Sequence, residues 1–263
     1  MMPAMYKATF RFYGSLNDFL PADRKQTAFE GSFLHRMSVK DTIELFGVPH
    51  PEVGLLLVNG QSVDFSVGVE AGDFVSVYPA TFNILEVSSL SRVLPKPLSE
   101  LRFVLDCHLG KLAGYLRMLG FDTLYRNDYA DPELARVSAS ENRVLLTRDR
   151  GLLMRNSVEY GYFVRHTQPR QQLHEIADRF GLDKHLKPFQ RCMNCNGLLQ
   201  PVAKETVFDQ LPPLVQAFQQ TFFQCPTCGK IYWEGTHFRR MQELVHSIFG
   251  TQGRAEMAQK GDS

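Results

Sequence analysis

The sequence holds no apolar stretch near the roughly 18–20 residues that cross a bilayer, so no membrane span is expected. Its opening, "MMPAMYKATFRFYG", lacks the basic head and long apolar core of a secretory signal. Cysteine is scarce: five residues in 263, an odd number that argues against a secreted disulfide framework. Together these absences predict a cytoplasmic protein with no membrane partner. There is no internal repeat of domain length and no low-complexity tract. Charge of neither sign dominates, with 29 Lys and Arg against 28 Asp and Glu. Its distribution is uneven. Residues 1–95 carry 7 basic and 10 acidic groups (−3), whereas residues 101–188 carry 14 and 11 (+3). The middle of the chain is therefore the better candidate to meet a polyanion, on a weak bias.

What is present is ordinary for a globular protein: 44% hydrophobic and 22% charged residues. The length exceeds the usual size of a single core and predicts two or three units. In residues 1–95, "YKATFRFYG" alternates as a half-buried strand does. "VKDTIELFGV" reads as a short helix with Val39, Ile43 and Phe46 on one side and Gly47 as its stop. "VGLLLVNG" is a strand running into an Asn-Gly turn, and "GDFVSVYPA" a final strand after a Gly-Asp turn. The expected order is strand, strand, helix, strand, strand. "SSLSRVLPKPLSE" then has the Ser and Pro content of a linker.

Residues 101–188 alternate strands and helices: "RFVLD", "HLGKLAGYLRMLGF", "DTLYR", "DPELARVSASE", "RVLLT", "GLLMRN", "GYFVR" and "PRQQLHEIADRFG". Leu109, Leu112, Ala113, Leu116 and Leu119 give the first helix its apolar stripe, and Gly120 its stop. Asp131 is expected at the cap of the next helix, with Pro132 at the first helical position. This alternation predicts a mostly parallel three-layer α/β/α sheet.

In such a sheet, ligands bind beyond the carboxyl ends of strands. Asp106 ends the first strand and Asp149 lies two residues past the third. Asp131 opens on the same edge, with Asp128 as a nearby alternative. Carboxylates gathered in one crevice stay ionised together only with a shared cation. Oxygen ligands at partly open positions suit Mg²⁺ or Mn²⁺ and substrate phosphates. Arg148 and Arg150 flank Asp149 and suit phosphate oxygens; Lys111, Arg117 and Arg126 extend a basic track. Thr147 either fixes the turn or hydrogen-bonds a carboxylate or a water. The plainer readings are a helix cap for Asp131, a surface ion pair for the arginines, a β-branched strand end for Thr147, a surface place for His108 and a packed, inert Cys107.

Cys192 and Cys195 in "CMNC", and Cys225 and Cys228 in "CPTC", form two C-x-x-C turns separated by 29 residues, Asn196 to Gln224. Two such turns close a tetrahedral Zn²⁺ site with no open position, hence a structural one. A redox pair is the competing reading. The long separation predicts an insertion with structure of its own. Trp233, His237, Arg239 and Arg240 in "WEGTHFRRM" either stack on bases and grip phosphates, or form a buried Trp and a solvated helix start. The expected division is 1–95, 101–188, 189–250 and a polar tail, 251–263.

Two resemblances add to this reading. "VKDTIELFGVPHPEVGLLLVNG" and "VEAGDFVSVYPA" resemble the ubiquitin-related β-grasp fold of small sulfur carriers. No Gly-Gly tail follows, so carrier chemistry does not transfer, and an interaction module with a protein partner is the remaining implication. "FVLDCHLGKLAGYLRMLGFDTLY", "RVLLTRDRGLL" and "RCMNCNG…CPTCGKIYWEGTHFRRM" resemble the PIN-like ribonuclease family named after the C-terminal domain of the exonuclease Mut-seven. That resemblance implies a Mg²⁺- or Mn²⁺-dependent nuclease acting on RNA, single-stranded by expectation. Asp106 and Asp149 carry over as its motif acids, Asp131 less firmly, and a fourth acid has no counterpart. The rival expectations are a non-catalytic RNA-binding zinc-ribbon protein and a partner-docking or sulfur-transfer protein.

Overall fold

The computed structural model describes residues 5–80 and 89–250. The expected polar tail at 251–263, and residues 81–88 between the last β-grasp strand and the linker, lie outside the described residues. In chain order the strands are β1 (Tyr6–Phe12), β2 (Ala28–Phe33), β3 (Val53–Val58), β4 (Gln61–Ser62), β5 (Phe74–Pro79), β6 (Phe103–Leu105), β7 (Thr123–Tyr125), β8 (Val144–Thr147), β9 (Gly161–Phe163), β10 (Gln200–Val202), β11 (Phe222–Gln224) and β12 (Ile231–Trp233). The helices are α1 (Val39–Leu45), α2 (Gly110–Met118), α3 (Asp131–Glu141), α4 (Arg150–Leu153), α5 (Pro169–Phe180), α6 (Lys204–Val207), α7 (Pro213–Phe218) and α8 (Thr236–Phe249). The class is α/β, as expected. A mixed sheet runs β2-β1-β5-β3-β4, a second runs β7-β6-β8-β9, and a third runs β10-β11-β12. In the second, β6 pairs parallel with β7 and β8 parallel with β9. No helix among the described residues is long and apolar enough to cross a membrane.

The described chain divides into two compact units, Met1–Glu100 with Ala130–Phe163, and Leu101–Tyr129 with Val164–Ser263. In the first unit, β1 alternates as its sequence requires, turning Ala8, Phe10 and Phe12 into the core. It pairs antiparallel with β2 and parallel with β5. Ser38 caps α1, accepting the Asp41 N–H at 3.0 Å while its hydroxyl donates to the Asp41 carboxylate at 2.7 Å. Val39 and Ile43 are fully buried, and Phe46 ends the helix with its ring 4.9 Å from that of Phe10. Each such buried side chain contributes about 1.5–3 kcal/mol. The Asn-Gly turn forms as expected, with positive φ at both Asn59 and Gly60. A strand absent from the expected order, β4, follows it and pairs with β3. The later part of this unit supplies α3 and α4, which pack on β8. All four residues of β8 are buried, hence its unbroken apolar run.

In the second unit, α2 packs on β7 and α5. Its stripe, Leu112, Ala113 and Leu116, is fully buried. Gly120 ends the helix at φ +95°, against the Lys187 carbonyl oxygen, where a Cβ would collide. The three-stranded ribbon β10-β11-β12 and the short helices α6 and α7 enclose a small core of Val207, Leu211 and Phe222. All of these elements except β12, which follows Cys228, lie in the expected insertion between the cysteine pairs. Trp233 is half-buried against that core, and α8 carries His237, Arg239 and Arg240 exposed on its first turns.

Candidate functional site

The candidate acids lie in both units, and each is shaped by its own turn. Asp149 and Asp131 belong to the first unit and Asp106 to the second. Asp149 follows β8 and caps α4. Its Oδ1 accepts the N–H groups of Gly151 at 2.7 Å and Leu152 at 3.3 Å. Its own N–H is donated to Thr147 Oγ1 at 2.9 Å, so Thr147 fixes the turn. Among the described residues Oδ2 makes no hydrogen bond, and the side chain is exposed. One oxygen thus anchors the carboxylate while the other faces outward.

Asp106 follows β6, is 5% exposed, and caps a single 3-10 turn by accepting the His108 N–H at 2.9 Å. His108 is on the surface, as expected. Cys107 is exposed rather than packed, because the turn that Asp106 caps rotates it out of the core. Asp131 does not cap its helix. Ala130 holds that position, Asp131 is the first helical residue and Pro132 the second. Its exposed carboxylate sits with Glu133 in the first turn, where the helix dipole favours negative charge. Asp128 is committed elsewhere. Arg126 Nε donates to it at 2.9 Å, and this bond holds its carboxyl below the usual carboxylate range.

The basic residues separate. Arg148 is half-buried and Lys111 exposed. Arg150 Nη1 donates to the Phe19 carbonyl at 3.0 Å, and its guanidinium lies 5.0 Å from the Phe19 ring and 5.7 Å from the Phe163 ring. At least one of its donors therefore serves the protein's own backbone. Arg117, expected on a basic track, is 5% exposed. It donates to the carbonyls of Thr123 at 2.9 Å, Met193 at 3.2 Å and Asn194 at 2.7 Å. Burial lowers its pKa, while Cys195, Cys192 and Asp122 oppose that shift. The signal for this role was its position four residues after Ala113, on the inner side of the helix.

The four cysteines do come together. Their sulphurs lie within 4.8 Å of one another, with Cys192 Sγ 3.6 Å from Cys228 Sγ and Cys195 Sγ 3.3 Å from Cys225 Sγ. Zn–S bonds of about 2.3 Å in a tetrahedron set sulphurs about 3.8 Å apart, so this donor set fits zinc. Without a cation, four adjoining thiols do not ionise together. Burial pushes Cys195 up to about 12, and the neighbouring thiols add to the rise, whereas the Lys230 N–H lowers Cys228. The Tyr232 hydroxyl accepts the Met193 N–H at 3.1 Å and lies 3.1 Å from Cys192 Sγ, placed to donate to its thiolate. Burial and that sulphur together raise the phenol's pKa.

The first cysteine turn is pinned within its unit. Asn196, at φ +73°, donates to Asp122 Oδ1 at 2.8 Å and accepts the Thr123 N–H at 2.9 Å. Arg191 donates to the carbonyls of Asn196 at 3.0 Å and Gly120 at 3.2 Å. Sequence reading missed Asn196, although Asn-Gly directly after a C-x-x-C turn is a turn signal in its own right.

The Mut7-C RNAse domain family model matches residues 101–245, more than half of the chain. The chain belongs to the Mut7-C RNase domain family. The Mut7-C ubiquitin family model matches residues 5–84, the segment that holds β1 to β5. No match was found among curated proteins. The Mut7-C RNase match runs through the cysteine cluster, so this family treats as one stretch what the sequence divides at residue 189.

Proposed function

We propose that the chain is a ribonuclease that hydrolyses RNA phosphodiester bonds with Mg²⁺ or Mn²⁺ held by Asp106 and Asp149, with Asp131 completing or orienting the water shell. The observation that carries this reading is the anchored Asp149 carboxylate, one oxygen tied to two N–H groups and the other without a hydrogen bond among the described residues. It stands just past a strand end in a chain of the Mut7-C RNase family. Asp106 has the same local form, a cap immediately after a strand. A bound divalent ion supplies a more acidic water and neutralises the phosphodiester as it becomes five-coordinate. Arg148 orients the scissile phosphate through its guanidinium fork. Arg150 holds the Asp149 turn, since its guanidinium is already engaged by Phe19.

Zinc in the Cys192, Cys195, Cys225 and Cys228 cluster is structural, because four thiolates fill its coordination. Single-stranded RNA is the proposed substrate class, a cytoplasmic location the proposed setting, and a protein partner of the β-grasp segment the proposed further ligand. The functional segments are 1–95, 101–188 and 189–250.

The test compares the wild type with Asp149→Asn on a labelled single-stranded RNA, with and without Mn²⁺. The wild type should cleave only with metal, and the variant should lose about a hundredfold or more in rate. Binding without cleavage by the wild type would favour an RNA-binding protein instead. Equal cleavage by both would remove Asp149 from the mechanism.

A further inference from the structure

We infer that the β-grasp segment is a built-in clamp that sets the position of the Asp149 turn, and that Phe19 and Arg150 are its positioning residues. The inference rests on the proposed role of Asp149. It concerns only the first compact unit, which joins the β-grasp strands to residues 130–163.

The grip is made at several successive points. Arg150, the residue after Asp149, donates to the Phe19 carbonyl at 3.0 Å, with its guanidinium beside the rings of Phe19 and Phe163. Those rings meet edge to face at 5.4 Å, and Phe163 packs against the β-grasp core. Glu52, 4% exposed, accepts the Phe163 N–H at 2.7 Å. His50, 7% exposed, meets the Val158 carbonyl with Nε2 at 2.8 Å, while Nδ1 lies 2.7 Å from Glu44. Gly47 turns the backbone at φ +86° beside Arg150 and the Phe19 carbonyl. A detachable docking module needs none of these buried polar contacts.

The chemistry follows from scale. α4 is four residues long and cannot hold its own N-terminus rigid. A carboxylate ligand must keep its direction within a few tenths of an ångström to be useful, and a misplacement of about 1 Å costs up to a hundredfold in rate. The clamp supplies the missing rigidity from outside the helix. It acts through Asp149 and leaves RNA contacts alone, so it should alter metal dependence and kcat rather than KM for RNA.

The experiment uses the full chain with Phe19→Leu, Arg150→Lys and the double variant. Hydrogen exchange would be read at the Gly151 and Leu152 amides, and cleavage would be read across a Mn²⁺ titration. Each single variant should speed exchange of those two amides about tenfold and raise the half-saturating Mn²⁺ by a similar factor, with KM for RNA unchanged. The double variant should fall short of the sum of the two singles, because both remove the contact between the Arg150 guanidinium and the Phe19 ring, while Phe19→Leu keeps the backbone carbonyl. Arg150→Lys, at an exposed position, keeps the test open should Phe19→Leu fail to fold. Folded variants with wild-type exchange at Gly151 and Leu152 would overturn the clamp. So would effects confined to KM that add in the double variant. A wild type without metal-dependent cleavage would remove the nuclease reading alone, and exchange would then decide the clamp by itself.

Discussion

Arg117 shows how much a single side chain can tie together. It leaves α2, satisfies one carbonyl at the start of β7 and two in the first cysteine turn, and does so almost wholly out of water. Replacing it with Met keeps the stem and strands three acceptors. Arg117→Met should therefore lower stability by about 2–4 kcal/mol and speed zinc release. Thermal melting and a chromogenic chelator would read the two effects, and an unchanged melting point with normal zinc retention would contradict the assignment. Zinc retention should also depend on pH. Cys195 holds its proton up to about 12 in the absence of metal, so binding there displaces a proton. Falling pH restores the proton and weakens the site; rising pH strengthens it. A zinc-loss titration that moved the other way would contradict that sign. At this scale the sequence was legible wherever the backbone dictates position. Asp106 and Asp149 follow strand ends, and the cysteine spacing draws four sulphurs together. For Arg117 the helix period marked the inner side but not its partners, because composition assigns arginine to the surface and only the three-dimensional turn supplies buried carbonyls to receive it.

Gly120 carries the corresponding lesson for an element. α2 stops where the backbone turns left-handed, and the Lys187 carbonyl closes over the stop. Gly120→Ala adds both strain and a collision with backbone, and should cost about 2 kcal/mol or more, read by denaturant unfolding. An unchanged midpoint would mean that the 187–189 segment moves aside at no cost. That stop was visible beforehand, as were the helix periods and the apolar run of β8. The start of α3 was placed one residue late, because Asp-Pro suits either the cap or the first turn and helix ends differ by a residue or two. α6 and α7 could not be read at all. Four and six residues hold less than two helical turns, too few for a period to register.

For the molecule as a whole, the two compact units are interleaved in sequence: 1–100 and 130–163 in one, 101–129 and 164–263 in the other. Reading contiguous segments cannot reveal this, since the ties that make the first unit, Phe19 to Arg150 or Glu52 to Phe163, join residues more than a hundred positions apart. The cysteine site is likewise more than a local staple. Its first turn is pinned to residues 117–123 of the same unit, so metal there is coupled to the fold of that unit. Removing zinc with a chelator should lower the melting temperature, and added Zn²⁺, but not Mg²⁺, should restore it. Identical melting with and without chelator would refute that coupling.

The long reach between Phe19 and Arg150 also sets a timetable for the newborn chain. The two residues are 131 positions apart, which at ribosomal speed is roughly 7–26 s of synthesis. Through that interval Phe19, His50 and Glu52 lack the partners they have in the folded unit, and the surface around them is exposed to chaperones and to neighbouring nascent chains. A folding assay on stalled ribosomes should find its protease resistance complete only after residue 163 has cleared the exit tunnel.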